Sequence, residues 1–213
     1  MAAYIFVLDT SYILNMDVPT FAMTGTMAWV MQRQTMFRSA MGMMRDRAAL
    51  NIPGVRPIDL AFAEGVIMLI IYSGVMVILL SVGNLLHITT LPHDPVGMAA
   101  MIFLLWLGAL GLGLTMGALH VVWPLFQRIM QPAERALSLF SSLYVVSEQL
   151  PEEFKPAVLW NPIAHGMQIM RTRVFPGYQA EDASMTYFLL GVGCVLLTGI
   201  AAERMVRSRV EPQ

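Results

Sequence analysis

Apolar residues in this chain fall into long unbroken runs rather than alternating patterns. Residues 65–86 and 96–119 contain no Asp, Glu, Lys or Arg, and neither do residues 185–202. A helix crossing ~30 Å of hydrocarbon at 1.5 Å per residue needs about 20 residues. The first two runs meet that length, and the turn-rich stretch from His87 to Pro95 makes them an antiparallel hairpin. Two further segments are weaker. Residues 18–44 open apolar and then admit Gln32, Arg33, Gln34 and Arg38, and residues 136–147 are apolar but short. Both are expected to be helices with one side on protein or on a water-filled lumen, where polar groups inside membranes are found. The pattern therefore predicts an all-α integral membrane protein with about five spans, near 18–42, 65–87, 96–120, 134–148 and 185–203.

Composition agrees. Of 213 residues, 57% are hydrophobic and 13% charged, with a mean hydropathy of +0.64. Soluble domains carry about 25% charged residues, so the excess apolar surface is expected to face membrane lipid. A net charge of −1 offers no basic field for nucleic acid, and no such partner is expected.

The basic residues predict orientation. One side would hold Arg33, Arg38, Arg45, Arg47, Arg56, Arg128, Arg135, Arg204, Arg207 and Arg209, and the other Lys155, Arg171 and Arg173. Positive charge marks the cytoplasmic side, which puts the C-terminus inside. The outer connection 147–184 holds two short helices, near Pro151–Trp160 and Asn161–Val174. Asn161 can cap the free N–H groups of the second, and Pro162 suits its first position. His165, Gln168 and Arg171 make a polar stripe beside Ile163, Met167, Met170 and Val174, as in a helix lying at the outer membrane–water boundary.

Catalytic motifs are absent. Lys155 is the only lysine and follows no Gly-rich turn, so no phosphate-binding loop exists. There is no G-x-S-x-G elbow and no H-E-x-x-H, and the histidines at 87, 93, 120 and 165 include no pair at helical ligand spacing. Cys194 is alone in an apolar run. No metal site is expected, and an enzyme would lack a nucleophile–base pair. Gly113 and Gly117, with Gly108 and Gly111 nearby, predict a close helix-packing face. Arg33 and Arg38 have two readings: side chains snorkelling to the inner interface, or a positive lining for an anionic substrate. Trp29, Tyr72 and Trp106 can likewise belt the interface or stack on sugars, and Tyr72, deep in a span, is the better lumen candidate.

Three ordered stretches carry a family resemblance. The first is Thr20-Phe-Ala-Met-Thr-Gly25, opening a helix that leads to Arg47-Ala-Ala-Leu-Asn51-Ile-Pro53-Gly-Val-Arg56-Pro57-Ile-Asp59. The second is Gln149-Leu-Pro151 with Leu159-Trp-Asn161-Pro162-Ile-Ala-His165. The third is Arg171-Thr-Arg-Val-Phe175-Pro176-Gly177-Tyr178, with Ala202-Glu203-Arg204 closing the last span. From about Val18 onward the chain resembles the permease subunit of bacterial capsule-polysaccharide ABC exporters, within the ABC-2 type transporters. The resemblance implies an inner-membrane homodimer exporting a lipid-linked polysaccharide, or, on a broader reading, a permease for a drug or lipid. It implies that ATP and Mg are bound by a separate cytoplasmic ATPase. That partner would dock on a coupling loop at 45–59, including Arg45, Asp46, Arg47, Asn51, Pro53, Arg56 and Asp59. It implies a periplasmic gate with Pro151, Trp160, Asn161, Pro162, His165, Gln168 and Arg171. A periplasmic co-polymerase and an outer-membrane export protein would be further partners. Family members begin with an amphipathic helix and a first full span. Ala2 to Leu14, broken by Asp9, is expected to be only the tail of that span; either an upstream in-frame extension carries the rest, which is the expectation, or the chain is a shortened homologue.

The orientation is open to direct labelling in a background without Cys194. A cysteine placed at Ser184 is expected to react from the periplasm and one at Ser208 only from the cytoplasm; reversed labelling would overturn the topology.

Overall fold

The computed structural model describes residues 12–13, 16–45 and 56–210. A minimal antiparallel ladder, β1 (Tyr12–Ile13) with β2 (Met16–Asp17), precedes the helices. Tyr12 and Ile13 are thus extended where the tail of a helical span was expected; residues 2–11 and 14 of that expectation lie outside the described residues. The helices are α1 (Val18–Arg45), α2 (Pro57–Leu85), α3 (Pro95–Val122), α4 (Phe126–Leu139), α5 (Lys155–Leu159), α6 (Pro162–Val174) and α7 (Met185–Val210), with a 3-10 turn at Ser147–Gln149.

Among the described residues, three helices are long and apolar enough to cross a membrane: α2, α3 and α7 through Arg207, with mean hydropathies of 2.6, 2.1 and 1.9. Half of the most apolar stretch of α3 is buried, against 22% in α2 and 17% in α7. The helix α3 is therefore the centre of the bundle, and α2 and α7 keep most of their apolar surface outward. The long α1 is the fourth large helix. Its Thr20, Thr24, Gln32, Thr35 and Ser39 are all buried, while Arg33 and Arg38 point outward. These uncharged polar groups thus face protein, and several find backbone partners, although Thr35 Oγ1 does not. Ser39 Oγ donates to Ala61 O of α2 at 2.9 Å, and Gln32 Nε2 to Leu105 O of α3 at 3.4 Å. Trp106 Nε1 joins α3 to α2 through Gly65 O at 2.7 Å. Trp106 is buried by this contact, so it is neither an interface anchor nor a sugar platform.

The expected glycine face is present. A Cβ at Gly113 would stand 2.7 Å from Met36 O, and one at Gly117 3.1 Å from Ala40 O, so these two carry α1 against α3. On the other side of α3, a Cβ at Gly111 would meet the backbone of Val195 and Leu196 at 2.8 Å, and one at Gly199 would meet Gly111 O at 2.5 Å. Such small residues let helix backbones approach without a hydrophobic driving force between them.

The hairpin loop folds back on the bundle end. Thr90 N donates to Thr20 Oγ1 at 2.9 Å and Thr90 Oγ1 to Asp17 Oδ1 at 2.8 Å; Asp94 N donates to Arg173 O at 2.9 Å. The start of α1, the loop and the end of α6 therefore share one end. Met43, Ala61, Leu114, Ala118 and Val206 pack together at the other.

The segment expected as a span at 134–148 differs. Its helix, α4, runs from Phe126 to Leu139, and residues 140–146 form turns, with Ser142 at φ 54°. Fourteen residues rise only ~21 Å, and α4 is amphipathic, with Pro132 inside it. The helix expected over Pro151–Trp160 is also shorter, and Lys155–Leu159 is its helical part.

A substitution that fills the α1–α3 contact should tell these glycines from ordinary ones. Gly113→Val is expected to destabilise the purified protein by about 1–3 kcal/mol, the range for overpacking. Gly193→Ala, with nothing within 4 Å of its Cβ, should leave detergent melting unchanged.

Candidate functional site

The best-organised polar cluster lies where α6 meets the turns at 140–149. Asn161 starts α6 as expected: its Oδ1 accepts from Ile163 N at 3.1 Å, while its Nδ2 donates to Phe140 O at 3.0 Å. One helical stripe then supplies His165, Gln168 and Arg171. All three are buried, which corrects the expectation of a water-facing stripe. They face backbone that has left the helix and needs donors. Arg171 donates to Ser142 O, and to Leu143 O at 2.9 Å. Gln168 Nε2 donates to Ser142 Oγ at 2.9 Å, and Gln168 Oε1 accepts from Ser147 Oγ at 2.9 Å. These contacts hold Ser142 in the left-handed region that residues with a Cβ avoid.

The Arg171 guanidinium also lies 3.9 Å from the centre of the Phe21 ring of α1, a cation–π contact. A Cβ at Gly25 would come within 2.9 Å of Arg171 Nη2, so that glycine admits the arginine against α1. Burial pulls the Arg171 pKa down to about 10, with Tyr178 and Glu148 opposing, so it stays protonated at neutral pH. Tyr178 OH donates to Glu148 Oε2 at 3.0 Å, and burial first, then Glu148, pushes the phenol well above its ordinary value.

His165 bridges three elements. Its Nδ1 accepts from Ser184 N at 3.0 Å, so its Nε2 carries the proton and donates to Leu159 O at 2.8 Å. Its ring stands edge-on to Tyr187, with centres 5.0 Å apart. Trp160 is 80% exposed, Pro151 is exposed, and Pro162 packs against Gly191 of α7. Thus Asn161, Pro162, His165, Gln168 and Arg171 come together in one assembly, while Pro151 and Trp160 stay at its rim. Beside it, a cavity of ≈ 140 Å³ is lined by Gln32, Leu105, Gly108, Phe188, Gly191 and Val192, among others.

The other expected sites are separate. Asp46, Arg47, Asn51 and Pro53 lie outside the described residues, and Arg45 is the last residue of α1. Arg56 and Asp59 are exposed at the start of α2, where Asp59 Oδ2 accepts from Arg56 N at 2.9 Å and Pro57 fills the first position. Arg38 is exposed and Tyr72 half-buried at the edge of the main core. Arg33 does not stand alone at an interface: its Nε lies 3.4 Å from Glu134 Oε2 of α4. Sequence reading missed Glu134, Ser142, Ser147 and Glu148. Their partners are 21 to 105 residues away along the chain, so no local spacing marks them.

No family model matches the chain. It is 23% identical over 194 residues to the polysialic acid transport protein KpsM of Escherichia coli, covering 89% of this chain and 74% of that protein. It is 23% identical over 199 residues to the capsule polysaccharide export inner-membrane protein BexB of Haemophilus influenzae, covering 93% and 75%. CtrC of Neisseria meningitidis, which bears the same description, is 22% identical over 198 residues, covering 93% and 75%.

The Tyr178–Glu148 bond has a pH signature. A phenol raised by folding contributes stability that is complete below the ordinary tyrosine pKa near 10. That stability is lost as pH rises from there through the raised value. Stability is therefore expected to fall above about pH 10, and Tyr178→Phe should flatten that fall in melts taken across the alkaline range.

Proposed function

We propose that this homologue of capsule-polysaccharide export inner-membrane proteins is the permease subunit of an ATP-driven exporter that moves a lipid-linked capsular or related polysaccharide across the inner membrane. The observation that carries this reading is the match to KpsM, BexB and CtrC over 89–93% of the chain. Supporting it, three helices suit a bilayer, and Thr20, Thr24, Gln32, Thr35 and Ser39 of α1 and His165, Gln168 and Arg171 of α6 are buried. The chain is the transport subunit, and ATP with Mg belongs on a separate cytoplasmic ATPase.

Two copies of the chain form the conduit. The end that holds the start of α1, the 86–94 loop and α6 is periplasmic, and the C-terminus is cytoplasmic. This follows from the arginines near the opposite end, where positive charge marks the inside. The connection 45–59 then faces the cytoplasm and serves as the ATPase dock, with Arg56 and Asp59 offering exposed charge at its end. The α5–α6 assembly closes the outer mouth.

Two measurements test this. The chain, expressed with any upstream extension its gene carries, should restore surface polysaccharide in a permease-null strain. The ATPase encoded beside it should co-purify, and Arg47→Glu or Arg56→Glu should cut that recovery at least about tenfold, a loss of ~1.4 kcal/mol, without loss of membrane insertion. Undiminished co-purification in both variants would remove the docking assignment, and restored drug or lipid efflux in place of polysaccharide would replace the substrate.

A further inference from the structure

The cavity beside the α6 assembly has one spare polar atom in its walls. It measures ≈ 140 Å³ and lies between α1, α3, α6 and α7, with Leu137 of α4 on one side. Of its lining side chains, Gln32 and Asn161 are polar, and the rest are apolar or glycine. Asn161 has spent its amide: Oδ1 accepts from Ile163 N and Nδ2 donates to Phe140 O. Gln32 is 4% exposed, and its Nε2 donates to Leu105 O at 3.4 Å. That bond fixes which end of the amide is which, because a flipped amide would set oxygen against oxygen. Gln32 Oε1 is buried and, among the described residues, has no hydrogen-bond partner. A buried acceptor left unpaired costs free energy, and a donor brought into the cavity recovers it.

Size and lining together select that donor. An apolar cavity of about 150 Å³ takes up benzene, so this one has room for a single ring. A buried water needs about two to four polar partners, and these walls offer one unspent atom. An acyl chain would fill the space and leave Oε1 unpaired. A ring with one hydroxyl meets both demands. Leu112, Leu137 and Val195 are half-buried, so the wall they form can be reached by a molecule dissolved in the bilayer.

We propose that this cavity is a binding site for a small lipophilic phenol, whose ring fills the space and whose hydroxyl donates to Gln32 Oε1.

The test uses the full chain in lipid nanodiscs, free of Cys194, with Val195→Cys on the cavity wall as reporter and N-ethylmaleimide as reagent. Phenol is compared with toluene, which matches it in size and has no donor, at equal concentrations in the bilayer. Phenol should half-protect the reporter at a concentration at least about tenfold lower than toluene, a difference of ~1.4 kcal/mol. Anisole keeps the ring and the oxygen but not the donor, and should protect no better than toluene. Gln32→Leu should remove the advantage of phenol, while continued protection by toluene shows that the variant keeps its cavity. A second reporter, Val206→Cys in the core at the far end, should label at one rate with and without phenol. Failure of phenol to protect Val195→Cys would overturn the site. Equal protection by phenol, toluene and anisole would do the same, as expected where water already serves Oε1. So would a preference for phenol that survives Gln32→Leu, or equal slowing at Val206→Cys. The comparison of the three compounds needs no change at position 32, so it decides the matter even if Gln32→Leu fails to fold. Labelling requires no transport, so the outcome is independent of the permease reading.

Discussion

Backbone that leaves a helix inside a membrane protein must still find hydrogen-bond partners, and the end of this bundle that holds α6 is built around that demand. The chain stops being helical at Leu139 and starts a regular α-helix again only at Lys155. Each unmet carbonyl in such a place costs several kcal/mol. The donors come from α6: Asn161 serves Phe140 O, and Arg171 serves Ser142 O and Leu143 O. This makes the polar stripe of α6 a row of backbone donors. It also fixes where α6 must lie, since a donor displaced by one turn leaves its carbonyl empty. Gly25 follows from the same demand, because a side chain there would collide with the guanidinium. The hairpin loop is then anchored on the end of α6 through His93 and Asp94.

Around that end the packing is uneven, and the unevenness has a physical source. The glycines of α3 bring its backbone against α1 on one side and α7 on the other, so dispersion contacts are dense there. Helix α4 has no such glycine face. It is short, interrupted by Pro132, and mostly exposed. Its attachment combines the buried Met130, and Leu137 partly buried on the main core, with the Glu134 pair to Arg33 and Trp29, and with the link from Phe140 O to Asn161.

The large helices were legible because their signal is local. Uncharged runs at 65–86, 96–119 and 185–202 mark α2, α3 and α7, and the Asn161-Pro162 start marks α6 to the residue. The glycine spacing in α3 was legible for the same reason. The fate of polar residues was not. In sequence, His165, Gln168 and Arg171 look like a stripe seeking water, because periodicity shows a face but not what covers it. The cover comes from Phe140 to Ser147, an apolar stretch that looks like a span and instead breaks into turns. Arg33 was legible as an oddity, but its partner lies 101 positions onward, and nothing near Glu134 distinguishes it from a solvated glutamate.

The two arginines inside the structure differ in what holds them, and that difference separates a fixed part from a movable one. Arg171 is held by backbone carbonyls, with an aromatic ring against it and no carboxylate hydrogen-bonded to it. Withdrawing it would strand two buried carbonyls, and nothing a substrate brings could stand in for a guanidinium there. Arg33 is held by a carboxylate, and a carboxylate can be exchanged for another anion with no backbone group left unmet. The buried cation is thus a structural part of the end that carries α6. The half-exposed one is held by a side chain instead, so breaking its pair with Glu134 leaves no backbone carbonyl unmet.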